Sequence, residues 1–310
     1  MKRSTLWGLL IAGLSLAAAA AIVALSAWHE LRDDFLPPRM SSARPSEGPL
    51  ASADELAFEG APGITIRGWG VPSRNGVAIV FLHGTGDDRG QTVPEATRLA
   101  EAGYGALAYD SPGHGASGGR VTWGAGERAA LRAAITRAEH LAPQGTVARV
   151  GVVAMSMGAL IAIQEIADDE RVRAAVLAGV SAEYKDVLLY QNAQFGLISG
   201  WTTVWTARAM GMTLGDLEPR FRVAAFGGRP LLLIAGAEDT AVPSRMTRAL
   251  FEAAREPKQF WEVPGARHCR YAQAAGSAYG DRLVDFFNKA FAVGGPVTQL
   301  RRESAPTSSH

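Results

Sequence analysis

Ser156 lies in the run Ala154-Met155-Ser156-Met157-Gly158, between the apolar stretch Val150–Met155 and a segment of helical pattern, Gly158–Ala167. A serine hydroxyl is a weak nucleophile near neutral pH and needs a base beside it. A sharp strand-to-helix turn lifts such a hydroxyl clear of a sheet, provided small residues two places to either side let strand and helix pass closely. Ala154 and Gly158 meet that need. The plainer reading of the same serine is a helix N-cap. A base is available in Pro264-Gly265-Ala266-Arg267-His268, a short loop after the strand-like run Gln259–Val263. Imidazole is the side chain whose ordinary pKa suits proton transfer near neutrality. The five other histidines are placed less well: His29 in a proline-rich stretch, His83 and His114 in Gly-rich turns, His140 at a helix surface, and His310 at the last position.

A histidine base needs an acid that fixes its tautomer and stabilises the imidazolium. Gly236-Ala237-Glu238-Asp239-Thr240-Ala241-Val242-Pro243 follows the apolar run Pro230–Ala235 and offers two carboxylates. Asp239 is the preferred acid, with Glu238 beside it and Glu183 as a third candidate. The competing explanation is acidic charge at a helix N-terminus. His83-Gly84-Thr85-Gly86 follows the run Val77–Leu82. Its expected task is to aim the Thr85 N–H, together with that of Met157, at a developing oxyanion, each donor being worth about 3 kcal/mol in the transition state. His83 itself reads as structural. Cys269, the one cysteine, reads as a packing residue and excludes a disulfide framework or a cysteine-rich metal site.

These loops need a sheet to hold them. Ile64–Gly70, Val77–Leu82, Tyr104–Tyr109, Val150–Met155, Ala174–Val180, Pro230–Ala235 and Gln259–Val263 read as strands. Helical segments lie between them at Pro94–Ala102, Ala125–Leu141, Gly158–Ala167, Arg245–Ala254 and Asp281–Phe291. Continuous apolar strands alternating with helices predict a mostly parallel sheet covered on both faces, with the chemistry at the carboxyl ends of the strands. The 31 basic and 30 acidic residues leave a net charge of +1, which argues against a nucleic-acid partner.

Residues 1–28 hold a basic start, Met1-Lys2-Arg3, and 25 uncharged residues from Ser4 to Trp28. That length predicts a transmembrane helix anchoring the chain in the inner membrane, single-pass, with everything after it on the extracytoplasmic side. A cleaved signal sequence giving a secreted or periplasmic protein is the alternative. Residues 29–53, with Pro37, Pro38, Pro45 and Pro49, read as a linker; residues 54–292 form the folded domain, and 293–310 a loose tail.

The run Asp110-Ser111-Pro112-Gly113-His114-Gly115-Ala116-Ser117-Gly118, with His83–Gly86, the Ser156 turn, Gly236–Pro243 and His268, resembles the α/β-hydrolase superfamily. The likeness is to its bacterial serine-hydrolase branch of esterase-like, monoacylglycerol-lipase-like and S33-peptidase-like members. It covers about Glu55–Phe291. The resemblance implies Ser156 as nucleophile, Asp239 as orienting acid, His268 as base, oxyanion donors at Thr85 and Met157, and no metal or cofactor. Ala154 stands where the family usually carries glycine.

Between the fourth and fifth long runs, residues 183–229 carry Leu188, Leu189, Tyr190, Phe195, Trp201 and Trp205 among other apolar groups. This reads as a small helical lid that favours an apolar acyl group. The expected activity is therefore hydrolysis of carboxylic esters, on a small-molecule ester or other acyl substrate, with no obligate protein partner. A peptidase or amidase of the same fold, or a non-catalytic membrane-tethered binding module, are the alternatives.

Overall fold

The computed structural model describes residues 3–143, 149–212 and 218–292. The chain order is α1 (Arg3–Phe35), β1 (Asp54–Ala61), β2 (Ile64–Val71), β3 (Val77–Leu82), α2 (Val93–Glu101), β4 (Gly105–Tyr109), α3 (Ala125–Glu139), β5 (Arg149–Met155), α4 (Met157–Ile166) and β6 (Val172–Ala178). There follow α5 (Tyr184–Gln191), α6 (Leu197–Ala209), α7 (Pro219–Arg222), β7 (Leu231–Gly236), α8 (Ser244–Ala253), β8 (Lys258–Val263), α9 (Tyr271–Ala275) and α10 (Ser277–Ala292).

One eight-stranded sheet has the order β1-β2-β4-β3-β5-β6-β7-β8. β1 and β2 pair antiparallel, as do β2 and β4; every later pairing is parallel. The uninterrupted apolar runs follow from burial on both faces. In β3, Ala78, Val80 and Leu82 enter the core under α3 and α4, while Val77, Ile79 and Phe81 enter the core under α2 and α10. β5 repeats this, with Val152 and Ala154 on one side and Val153 and Met155 on the other. The larger of these side chains, Val, Leu, Ile, Phe and Met, contribute about 1.5–3 kcal/mol each when fully buried, so these strands fix the frame on which the loops sit.

β1 has no counterpart in the sequence reading, which begins at Ile64. As an edge strand it buries only Leu56 fully and so lacks the clean alternation of an inner strand. It is paired by register Asp54↔Gly70 through Phe58↔Ile66, and a two-residue turn at Pro62-Gly63, with Gly63 at φ +75°, closes the hairpin.

The N-terminal expectation is corrected. Among the described residues no helix is long and apolar enough to cross a membrane. The transmembrane anchor, the membrane partner and the single-pass inner-membrane placement fall with it. The helix is not a separate unit ending at Trp28; α1 runs on through Arg32, Asp33 and Asp34 to Phe35. Ala27, Leu31 and Phe35, one turn apart, form an apolar stripe that is buried on the domain. The Phe35 and Trp123 rings lie 6.5 Å apart, and Trp123 Nε1 donates to the Asp34 carbonyl at 3.0 Å. Burial, and then the neighbouring Asp33, push the Asp34 carboxyl up to about 6. The stretch after Phe35 is tied down by polar contacts: Arg39 donates to the Ser117 carbonyl at 2.5 Å, and the Ser42 N–H donates to Asp88 at 2.6 Å.

Between β6 and β7 the chain leaves the sheet to form α5, α6 and α7. Val187, Leu188, Val204 and Ala207 bury the inner side of this insertion. Leu197, Ile198 and Trp205 on α6 remain exposed.

Candidate active site

The serine turn is built as strand, single strained residue, helix. Ser156 follows β5 directly and has φ +50° and ψ −120°, outside the favoured regions for a side-chain-bearing residue. Such backbone costs on the order of 1–3 kcal/mol and persists only where its surroundings enforce it. Here the Ser156 N–H donates to the Ala178 carbonyl of β6 at 2.9 Å, and its own carbonyl accepts from Leu160 at 3.0 Å. Small residues are required around it. A Cβ on Gly158 would stand 2.6 Å from the His83 carbonyl oxygen and 2.8 Å from Leu82 Cβ. Ala154 is fully buried in register with Leu82 and Leu177, so one methyl group is accepted where only a hydrogen is usual.

His268 and Asp239 arrive on the loops after β8 and β7. His268 Nε2 lies 2.8 Å from Ser156 Oγ, and its Nδ1 lies 2.7 Å from Asp239 Oδ2. Asp239 is held in turn: its Oδ1 accepts from the N–H groups of Ala241 at 2.9 Å and Val242 at 2.8 Å. The carboxylate is fully shielded from solvent, and among the described residues the imidazole is its one ion-pair partner. Burial opposes charge on His268, while the Asp239 bond and the adjacent Cys269 push its pKa up, so the site favours the imidazolium that forms when Nε2 takes a proton. With the carboxylate fixed to Nδ1, Nε2 is the nitrogen that faces the hydroxyl and can take its proton. Of the other two carboxylates considered, Glu238 makes no side-chain hydrogen bond or ion pair among the described residues, and Glu183 is engaged by Lys185 and Arg220.

Of the two expected oxyanion donors, Met157 directly follows Ser156 and Thr85 belongs to the loop 83–86. Met157 opens α4, where a first-turn N–H has no helical acceptor. In the 83–86 loop, Gly84 N–H donates to Gln91 Oε1 at 2.7 Å and Gly86 N–H to His114 Nε2 at 3.3 Å. Thr85 N–H, between them, has no acceptor among the described residues. A Cβ on Gly84 would be 3.2 Å from Ser156 Cβ, which places this loop against that serine.

His83 and His114 are structural and neutral. Ser111 N–H donates to His83 Nε2 at 2.9 Å, leaving Nδ1 to donate to the Gly84 carbonyl at 2.7 Å. The His114 ring stands edge-on to it at 5.0 Å. Burial lowers both pKa values to about 4. These rings fasten the loop to the Asp110–Gly118 turn, whose Asp110 accepts from Arg89 and Ala116 N–H groups at 2.9 and 2.8 Å.

Sequence reasoning assigned no role to three residues that shape this site. Gln91 pins the loop from one turn away, and His114 does so from the other side. Gly179, at φ +62°, has no room for a side chain: a Cβ would meet Tyr271 Oη at 2.6 Å and His268 Cε1 at 3.0 Å. A glycine closing the run Ala174–Val180 was the only signal for it. Among the described residues no group of three or more His, Cys, Asp or Glu is placed to hold a metal ion.

Comparison with known proteins agrees with this architecture. The profile of a family described as serine aminopeptidase, S33, matches residues 74–223. Two curated proteins of unassigned function are similar over most of the chain. Rv2307c of Mycobacterium tuberculosis is 28% identical over 237 residues, which is 72% of this chain and 78% of that one. YfhR of Escherichia coli K12 is 26% identical over 251 residues, 77% of this chain and 82% of its own. Among solved structures, the Pyrococcus furiosus esterase Pf2001 superposes with a TM-score of 0.68 at 20% identity, over 83% of this chain and 98% of that one. Est1E of Butyrivibrio proteoclasticus, with ferulic acid bound, gives 0.60 at 17% identity, over 76% and 99%. These likenesses extend over most of the chain, and the matched profile spans the segment from β3 to α7, so the chain has the α/β-hydrolase fold.

Proposed function

We propose that the chain is a serine hydrolase that cleaves carboxylic esters of apolar acyl groups through an acyl-enzyme. The observation that carries this reading is the continuous relay from Asp239 through His268 to Ser156, with spacings of 2.7 and 2.8 Å. Ser156 Oγ attacks the ester carbonyl while His268 Nε2 takes its proton. Asp239 keeps the imidazole in the productive tautomer and stabilises its charge. The N–H groups of Thr85 and Met157 donate to the negative oxygen of the tetrahedral intermediate. His268 then protonates the departing alkoxide, and water, activated by the same imidazole, releases the acid.

The S33 aminopeptidase description of the matching family favours a second reading, cleavage of short peptides. That chemistry calls for a free acid to receive a substrate ammonium. Of the acids in the insertion, Glu183 is engaged by Lys185 and Arg220, both of which lower its pKa, and Asp186 lies 3.8 Å from Lys185. The insertion's apolar groups fit an acyl chain instead. The deciding experiment combines a fluorophosphonate probe with two substrate series, p-nitrophenyl esters of rising acyl length and aminoacyl p-nitroanilides. Labelling at Ser156 with turnover of esters is the expected result. Turnover of the anilides alone transfers the protein to the peptidases, and absence of labelling overturns the catalytic reading.

A further inference from the structure

The other end of the sheet holds a cavity of about 770 Å³, enclosed by the amino-terminal ends of β5 to β8 and the last turns of α10. Ser156 follows the opposite, carboxyl end of β5, so the two sites are separated by the length of the strands. Five cations line the cavity, Arg149, Arg171, Arg173, Arg229 and Lys289, against one carboxylate, Glu139. Arg171 is matched by Asp169 at 2.7 Å and by Glu139 at 3.4 Å. The other four have no carboxylate partner among the described residues.

How those four are held points to a ligand. Arg229 donates to the carbonyls of Asp169, Val172 and Ala167 at 2.8, 2.9 and 3.0 Å, and lies 3.9 Å over the Phe226 ring. These contacts fix its direction without neutralising its charge. Burial and the nearby Arg173 lower its pKa, against the opposing pull of Asp169, Glu170 and Asp168. Arg149 donates to the Phe291 carbonyl at 2.7 Å, while its buried Nε has no acceptor among the described residues. Arg173 and Lys289 make no side-chain hydrogen bond or ion pair among the described residues. Like charges gathered in a partly enclosed space repel unless an anion joins them. Arg229 spends four of its five N–H donors on backbone carbonyls, so the donors open to an anion are the exposed Arg173 guanidinium and Lys289 ammonium, groups that suit phosphate oxygens. Phe286, Phe291 and Pro257 complete the wall with apolar surface. The enclosed volume suits a small molecule and not a polymer.

We infer that this cavity is a second binding site, distinct from the Ser156 site, for a small anion carrying more than one phosphate charge. Inorganic pyrophosphate is the probe. Calorimetric titration of the full chain at about 0.15 M salt, where exposed charges are largely screened, is expected to show saturable binding at one site. R173A/K289A changes two exposed side chains that have no hydrogen-bond partner among the described residues, so folding is expected to survive. It should weaken pyrophosphate affinity at least about tenfold while fluorophosphonate labelling of Ser156 proceeds at the wild-type rate. If the double variant melts earlier than the parent without ligand, R173A alone is measured in its place. Absence of saturable binding, or variant affinity within about twofold of the parent, overturns the site. Citrate binding as tightly as pyrophosphate overturns the assignment to phosphate.

Discussion

Asp239→Asn offers the sharpest test of the proposed chemistry, because it changes one atom and leaves the fold in place. Both backbone donors to this side chain, Ala241 and Val242, end on Oδ1, and an asparagine carbonyl oxygen can accept both. The replaced oxygen, Oδ2, is the one facing His268 Nδ1 at 2.7 Å. An amide NH₂ there donates to Nδ1, so the ring proton moves to Nε2 and points at Ser156 Oγ. Nε2 can then no longer accept the serine proton. The imidazolium formed in the transition state also loses its counter-charge. Together these effects should lower kcat by about 10⁴, or about 5 kcal/mol of transition-state stabilisation, with KM little changed. The pH profile supplies a second reading. Asp239 helps to raise the His268 pKa, so its loss removes that lift while burial still opposes charge. The acid limb of the residual activity should therefore move to lower pH than in the parent. The assay is steady-state hydrolysis of a p-nitrophenyl ester from pH about 5 to 10, with Glu238→Gln as the exposed neighbouring control. Retention of more than about a tenth of parental kcat, or an equal loss in Glu238→Gln, would refute the assignment of Asp239 as the orienting acid.

Two further outcomes concern the frame. Gly158→Ala places a methyl group 2.6 Å from the His83 carbonyl oxygen and 2.9 Å from that of Leu82, both backbone atoms that cannot swing aside. A cost of about 1–3 kcal/mol is expected, seen as a Tm lower by about 3–10 °C. Gly13→Ala, which meets nothing within 4 Å, should leave Tm near the parental value. His83 is held neutral in the fold, with its pKa lowered from 6.5 to about 4 by burial. The unfolded chain therefore binds a proton before the native one does. The stability this gives is complete above the unfolded value and is lost as pH falls from 6.5 toward 4, by at most about 3 kcal/mol. His83→Gln should flatten the Tm-against-pH curve in that window; an unchanged slope would show that the acid sensitivity arises elsewhere.

The strands and their loops are legible in the chain because burial on both faces leaves an uninterrupted apolar run, as in Val77–Leu82, and a turn needs glycine where φ is positive, as at Gly86 and Gly113. The order of Ser156, Asp239 and His268, each just after such a run, is readable for the same reason. β1 is not, since a strand at the edge buries too little to impose a pattern. The N-terminal helix is misread for a different reason. Apolar residues repeat alike whether they face lipid or another helix, and Ala27, Leu31 and Phe35 are committed to the domain core.

Sequence alone thus determines which segments become strands and which residue types wait at their ends, because hydrophobic periodicity and turn chemistry act over a few neighbours. Only the tertiary structure decides which distant groups meet. The Ser156 hydroxyl and the His268 imidazole are 112 positions apart, and that imidazole and the Asp239 carboxylate 29. Parallel strand order brings them within hydrogen-bond reach at one end of the sheet. The same packing gathers Arg149, Arg173, Arg229 and Lys289 at the other end, where no local pattern announces them. Proximity in space depends on how the strands stack, and short-range chemistry does not encode that.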